Sequence, residues 1–393
     1  MKDSAFHQWL YQYDPSDKAP DALLERFMSG VNELGIDVYR ASMWLPTSHP
    51  ELWGTQLVWC RGQPVQEFRR GHDITDTPIY LNTPGEAVHK ERQPLRWQLT
   101  GEDPLPYPLL DDVKQEGGTD YLIVPFHTDH EKEQPWITFA TKRESGFSRL
   151  ELSTLKELCE PLSWKARVTM AEMATKSLLS VYLGENASNR VMNGQFKRGT
   201  GEAIDAVIWF CDLRGFTSLG DTLPCTELVA LLDHYFECVS EPIEAAGGEI
   251  LKFIGDAILA IFPLSSGASE AHKQTVCLNA LAAAEEALAN VASKSWCGHT
   301  KEALTLSAGI ALHIGTVTYG NIGGSSRLDF TVIGAAVNEA ARVEALCKDY
   351  APLLATEAFQ SHLPKDRMSL VGDVSLRGVS KSLRLYTLPS CAD

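Results

Sequence analysis

Apolar residues recur at helical spacing across 22–34, at Leu23, Leu24, Phe27, Val31 and Leu34, and Gly35 follows as a stop. From 37 to 45 the pattern changes to alternation, with Val38, Tyr39 and Trp44, and predicts a strand. Residues 56–60 predict another. Residues 84–88 and the run Pro104-Leu-Pro-Tyr-Pro108 read as punctuation of a loop region. Residues 121–126 and 136–140 predict a strand pair across an exposed His/Asp/Glu/Lys linker. Helical spacing returns at 153–181, through Leu155, Leu158, Leu162, Val168, Met173, Leu178 and Leu179, with Pro161 as a break or as the first turn of a second helix. A connector is expected from Tyr182 to Gly201.

The second half repeats the alternation between periods. Residues 206–211 predict a buried strand, and 226–240 an amphipathic helix with Leu228, Leu231, Leu232, Tyr235 and Val239 on one stripe. Gly247-Gly248 turns the chain into a strand at 249–253. Ile254-Gly-Asp256 makes a tight turn, and 257–262 returns as its hairpin partner. An Ala-rich helix at 271–291, strands at 304–313 and 327–332, a helix at 335–347 and strands near 368–376 and 383–388 complete the unit. Gly315-Thr-Val-Thr-Tyr-Gly-Asn-Ile-Gly-Gly324 reads as a glycine-rich bend between strands. The order β-α-β-β-α-β is that of a ferredoxin-like core with additions, so the fold class expected is α+β.

Length and composition constrain this picture. A chain of 393 residues exceeds one ordinary core, and 44% hydrophobic with 22% charged residues is globular composition. The expected division is residues 1–152, a helical linker at 153–202, and 203–393. No apolar run approaches the roughly 20 residues that cross a bilayer. Met1-Lys-Asp-Ser-Ala-Phe-His lacks the apolar core of a signal peptide, so the expected location is cytoplasmic. The formal net charge of −16 argues against a nucleic acid or an anionic membrane as partner. Nine scattered cysteines without a C-x-x-C pair read as buried free thiols in a reducing compartment rather than a zinc site. His72, His89, His127 and His130 read as surface histidines rather than a metal or haem site.

The chemistry concentrates in the second half. Asp212 ends a strand in Phe210-Cys-Asp-Leu-Arg-Gly-Phe-Thr217, and Asp256 sits in a hairpin turn. Gly215 permits a sharp turn whose N–H groups, at Phe216 and Thr217, would face an anion. If the two strands are neighbours, both carboxylates reach one point and form an oxygen site suited to Mg²⁺ or Mn²⁺. Lys252, among Ile250, Leu251, Phe253 and Ile254, either faces solvent or meets a partner in a pocket. Thr331 by itself fits ordinary strand propensity. Asn338 and Arg342 share one helix face at i, i+4 spacing; a solvated face and a phosphate-handling face are both open to them.

These residues carry a family resemblance. Phe210-x-Asp-Leu-x-Gly-Phe-Thr217, Gly247-Gly-x-x-x-Lys-x-x-Gly-Asp256, Gly315-x-Val-x-x-Gly-Asn-Ile-Gly323 and Asp329-Phe-Thr-Val-Ile-Gly-x-x-Val-Asn-x-Ala-Ala-Arg342 resemble, in order, the motifs of class III nucleotidyl cyclase catalytic domains. The resemblance implies two divalent cations on Asp212, Asp256 and the Leu213 carbonyl. It implies base reading by Lys252 and Thr331, ribose positioning by Asn338 and transition-state charge stabilisation by Arg342. Lys381 matches loosely a lysine that holds the triphosphate. Guanylate cyclases of the family carry Glu and Cys at the two base-reading positions, so the implied substrate is ATP. The Thr331 form resembles the subclass activated by bicarbonate, which makes bicarbonate a candidate regulator. A homodimer is implied, with each site built from both chains.

The N-terminal part resembles a GAF-type sensory domain. The competing readings are a guanylate or diguanylate cyclase and a non-catalytic nucleotide sensor. A Gly-Gly-Asp-Glu-Phe motif is lacking, which opposes the diguanylate reading.

Overall fold

The structure is a computed structural model describing residues 5–12, 14, 19–126, 134–298, 303–375 and 382–389. It comprises two compact units, Met1–Leu179 and Ser180–Asp393.

The first unit contains α1 (Ala5–Tyr11), α2 (Pro20–Glu33), β1 (Arg40–Pro46), β2 (Leu52–Cys60) and β3 (Gln66–Gly71). It continues with α3 (Pro84–Glu91), β4 (Leu95–Gln98), α4 (Pro108–Gln115), β5 (Asp120–Pro125), β6 (Trp136–Thr141) and most of α5 (Arg149–Leu183). The strands form one antiparallel sheet in the order β3-β2-β1-β6-β5-β4. Strand side chains alternate between faces. Ala41, Met43, Leu45, Ile137 and Phe139 therefore meet Leu24, Phe27, Leu155 and Leu162 of α2 and α5 on one side. Tyr121 and Ile123 meet Val88, Leu110 and Val113 of α3 and α4 on the other.

The expected loop around Pro84 and Pro108 is corrected: both prolines open helices at the first turn, where a missing N–H costs nothing. Thr83 Oγ1 accepts from the Glu86 N–H at 3.2 Å, and the Glu86 carboxylate accepts from the Asn82 N–H at 2.7 Å. Thr83-Pro-Gly-Glu86 is the S/T-x-x-E helix-start signal, visible in the chain and overlooked. The break considered at Pro161 is absent. Buried Leu158, Cys159, Leu162 and Ala166 hold α5 continuous across it. His127 and His130, with most of the polar linker, lie outside the described residues.

The second unit begins, after the end of α5, with α6 (Glu185–Met192), inside what was expected to be a plain connector. There follow β7 (Gly201–Leu213), α7 (Phe216–Thr222), α8 (Cys225–Ala245), β8 (Glu249–Ile254), β9 (Ala257–Pro263), α9 (Glu270–Ser293) and the two-residue strands β10 (Trp296–Cys297) and β11 (Ala303–Leu304). The unit ends with β12 (Ala308–Gly323), β13 (Leu328–Ile333), α10 (Ala335–Glu344), β14 (Leu353–Thr356), α11 (Glu357–Gln360), β15 (Ser369–Ser375) and β16 (Ser382–Thr387). The main sheet runs β15-β16-β14-β12-β7-β9-β8, with β13 paired to β12. Its β12-β7-β9-β8 half joins through α8 and α9 as the expected β-α-β-β-α-β core. Val207, Trp209, Cys211 and Leu213 face α8 and α9, while Ala206 and Ile208 face α6 and α10.

The bend expected at 315–324 is instead the second half of β12, a single strand to Gly323. Its glycines serve close packing rather than turning. A Cβ on Gly320 would lie 2.2 Å from the Thr200 carbonyl oxygen and 2.5 Å from the Gly201 Cα, both backbone atoms with no freedom to yield. Gly320→Ala is expected to destabilise the unit by about 1–3 kcal/mol, read by urea denaturation.

His313 of β12 is buried, with Nδ1 2.9 Å from Thr356 Oγ1 and Nε2 3.6 Å from a Glu339 carboxylate oxygen. Burial pushes its pKa down to about 4. The unfolded chain takes up this proton near 6.5 and the folded chain only near 4. Stability is therefore complete above pH 6.5 and falls as the pH drops towards 4, by up to about 3 kcal/mol. The His313→Gln variant should lose this part of the acid sensitivity, seen as a smaller difference in unfolding free energy between pH 7 and pH 4.5.

Five of the cysteines described, Cys159, Cys211, Cys238, Cys277 and Cys347, are buried free thiols as expected, whereas Cys60 is half-buried and Cys225 and Cys297 are exposed. His89, expected at the surface, is half-buried and engaged through both ring nitrogens. No helix among the described residues is long and apolar enough to cross a membrane.

Candidate active site

β7 carries Asp212 to the end of the sheet. Asp212 lies opposite Ala257 on β9 and opposite Gly309 on β12. β8 and β9 close in a two-residue hairpin, Ile254 pairing with Ala257, and Gly255 takes φ +64° at the first turn position. Asp256 is the other turn residue, so the register places it beside Asp212. The two carboxyls lie within hydrogen-bonding reach of each other, and burial together with the Asp256 charge raises the Asp212 pKa to about 6. Two acids forced together in this way favour a proton or a cation between them.

Around the pair, the chain supplies both signs of charge. Arg214, just past Leu213, forms an ion pair with the Glu344 carboxylate of α10 at 2.8 Å and donates to the Glu344 backbone carbonyl at 3.3 Å. Burial raises the Glu344 pKa to about 7 against the opposing pull of Arg214, and the charges of Asp212 and Asp256 raise it further. Neither Arg214 nor Glu344 was singled out from the sequence. Arg214 stood inside a recognised motif, whereas Glu344 carried no local signal. Leu213 is buried in the last position of β7. Gly215 takes φ +76° and starts α7, where Phe216 packs against the core and Thr217 is exposed.

A second cluster forms on β8 and β13. A bulge between Ile250 and Lys252 shifts the register of β8 and re-aims the residues beyond it. Of the two fates open to Lys252, the structure selects a partner: its Nζ lies 2.9 Å from Asp329 Oδ2. The Lys252 ammonium holds the Asp329 carboxyl below its usual range. Thr331 is two residues along β13, on the same strand face as Asp329. It is 6% exposed, and its hydroxyl has no hydrogen-bond partner among the described residues. Phe253 and Ile254 on β8, with Ile333 on β13, are about half exposed beside this cluster.

Asn338 and Arg342 occupy the exposed face of α10, whose other face buries Ala336, Ala340 and Val343. The site residues thus fall into three placements: the acid pair at the β7 end and β8–β9 turn, the Lys252–Asp329–Thr331 cluster, and the polar face of α10. Lys381 lies outside the described residues.

The family described as "Adenylate and Guanylate cyclase catalytic domain" matches residues 201–390. An adenylate cyclase from Anabaena cylindrica is 36% identical over 179 residues, 45% of this chain and 34% of that protein. The terminal-differentiation-specific adenylate cyclase of Dictyostelium discoideum is 28% identical over 261 residues, 64% of this chain and 11% of that protein. The chain therefore spans about a third or less of these two relatives' own lengths. Among solved structures, the adenylyl cyclase CyaB from P. aeruginosa superposes with a TM-score of 0.40 at 26% identity, over 49% of this chain and 97% of that one.

Proposed function

We propose, from the match of residues 201–390 to the adenylate and guanylate cyclase catalytic domain family, that this chain is an adenylate cyclase, converting ATP to 3′,5′-cyclic AMP and pyrophosphate. The observation that carries the reading is the juxtaposition of Asp212 and Asp256 at the open end of the sheet. In this reaction the ribose 3′-oxygen forms a bond to the α-phosphorus, and the bond from that phosphorus to the bridging oxygen of the β-phosphate breaks. Pyrophosphate leaves, and the hydroxyl proton passes to water or to a substrate phosphate.

The donor set at the acid pair fits divalent cations: two carboxylates and the Leu213 carbonyl, all oxygen, with mutual repulsion that a cation relieves. Two Mg²⁺ or Mn²⁺ ions held there would supply Lewis-acid stabilisation of the hydroxyl and the triphosphate. The chain's own residues position everything else. Lys252 donates to a ring nitrogen of adenine, and the unpartnered Thr331 hydroxyl offers a complement to the exocyclic amino group. Guanine reverses that donor–acceptor pattern, which is why these two side chains favour ATP. Asn338 fixes the ribose, and Arg342 neutralises charge on the α-phosphoryl oxygens. The N–H groups at Phe216 and Thr217, and Lys381, take the triphosphate.

The working form in this reading is a homodimer. The acid pair of one protomer faces the partner's Lys252, Thr331, Asn338 and Arg342, which gives two equivalent sites by two-fold symmetry. Exposed Phe253, Ile254 and Ile333 beside the base-reading cluster support burial of that surface in a dimer. Residues 1–152 act as a GAF-like regulatory domain, 153–202 connect and 203–393 catalyse. A six-stranded antiparallel sheet covered by helices on both faces suits a sensory role. The enzyme is read as cytoplasmic, with bicarbonate as a candidate activator.

Incubating the purified chain with ATP or GTP and Mn²⁺ tests the reading. Cyclic AMP and pyrophosphate are expected. Cyclic GMP would make it a guanylate cyclase, and binding without product a nucleotide sensor.

A further inference from the structure

We infer that the Met1–Leu179 unit holds a site for a planar, anionic small molecule, in the cavity between the β1–β2–β3 side of its sheet and helices α3 and α4. The cavity has a volume of about 410 Å³, within the range of small-molecule sites. Its walls are aromatic. The Trp44 and Trp53 rings lie 4.5 Å apart between centroids, and Tyr80 stands edge-on to Trp53 at 4.8 Å. Trp136 adds a further ring to the wall. Flat walls of this kind recognise a flat guest by stacking and edge contacts.

The polar groups of the lining select the guest's charge. Trp44 Nε1, Trp136 Nε1 and Arg70 Nε are buried donors without a hydrogen-bond partner among the described residues. Arg70 is otherwise anchored, its Nη2 donating to Gln56 Oε1 at 3.2 Å and its guanidinium stacked on Phe68 at 5.1 Å. Each buried donor left unmade costs about 1–3 kcal/mol, a cost that a ligand bringing acceptors into the cavity these three residues line would relieve. Arg40 and Arg70 line the cavity with Asp112, and Arg40 is paired with Glu116 at 3.4 Å, so Arg70 is the positive group that the lining presents to a guest.

His89 adds no charge to the lining. Its Nε2 lies 2.8 Å from the Gln134 carbonyl oxygen and its Nδ1 2.9 Å from the Tyr80 hydroxyl. The carbonyl accepts from Nε2–H, and burial lowers the His89 pKa and so favours the neutral ring, with Nδ1 accepting from Tyr80. Both nitrogens are committed, so His89 is not a metal ligand. Aromatic cages also hold quaternary ammonium groups, but such a cation here would meet the Arg70 guanidinium and two unanswered indole N–H groups.

The test is calorimetric titration of the full chain with two guests of the same ring and opposite charge, 2-naphthoate and 2-(aminomethyl)naphthalene. The carboxylate is expected to bind one per chain and at least about tenfold more tightly than the ammonium. Arg70→Met should weaken it by about tenfold or more while the melting temperature stays near the wild-type value. No binding of 2-naphthoate at millimolar concentration, equal or tighter binding of the ammonium, or a folded Arg70→Met chain that binds as the wild type would overturn the inference. If Arg70→Met does not fold, the charge contrast on the wild-type chain decides alone. The measurement requires no nucleotide turnover, so it stands or fails independently of the proposed cyclase activity.

Discussion

Equal amounts of Asp212→Asn and Arg342→Ala chains, mixed and allowed to exchange subunits, should recover about a quarter of wild-type cyclase activity, though each variant alone is nearly inactive. Asp212 is half of the acid pair, and its amide variant keeps the shape while deleting the charge that pairs with a cation, a loss of several kcal/mol of transition-state stabilisation. Arg342→Ala removes a guanidinium from the exposed face of α10, and an arginine that stabilises phosphoryl charge is worth about 10³-fold or more. In a shared-site dimer, half of the mixed dimers are heterodimers. Each carries one doubly damaged site and one intact site, which gives about a quarter overall. Product formation measured alongside verified subunit exchange checks this. Exchange without recovery would mean that each chain builds its site alone. Deleting one of two adjacent like charges does not weaken the fold, so the Asp212→Asn melting temperature should equal or exceed that of the wild type.

The next largest effect is expected at Lys252. Its ammonium lies 2.9 Å from Asp329, and Lys252→Glu sets two carboxylates at that position while removing the donor to adenine. The kcat/KM for ATP should fall by about 10²-fold or more, because a site built to hydrogen-bond a substrate penalises the loss of that bond heavily. The combined Lys252→Glu and Thr331→Cys exchange should move preference towards GTP. Stability should change by less than about 1 kcal/mol, since the pair is partly exposed and screened. Parallel kcat/KM measurements with ATP and GTP, beside a thermal melt, separate lost recognition from lost folding. ATP turnover within threefold of wild type would remove Lys252 from base reading.

Much of the second unit could be read from periodicity. The stripe Leu231, Tyr235 and Val239 on α8 and the alternation along β7 each need only a buried and an exposed side, and local spacing encodes that. The Gly255–Asp256 hairpin was legible because a two-residue turn with glycine first is specified by backbone sterics. The continuation of β12 through Gly315 and Gly320 was not. Glycine marks turning and close packing alike, and the Thr200 backbone that crowds Gly320 is 120 residues away in the chain. The helices after Pro84 and Pro108 were overlooked for a different reason: proline ends one helix and opens another, and the cap at Thr83 was what distinguished them.

The chain's order of residues was enough to single out the candidate side chains, Asp212, Asp256, Lys252, Thr331, Asn338 and Arg342, and to determine what elements most of them ride on. Tertiary structure alone decided who meets whom. Register across β7 and β9 brings Asp212 beside Asp256, a bulge in β8 precedes the pairing of Lys252 with Asp329, and α10 carries Glu344 to the Arg214 guanidinium. Strand and helix periods are local properties of a few neighbouring residues. Register, bulges and ion-pair partners depend on contacts between segments tens of residues apart, whose energies no local pattern records.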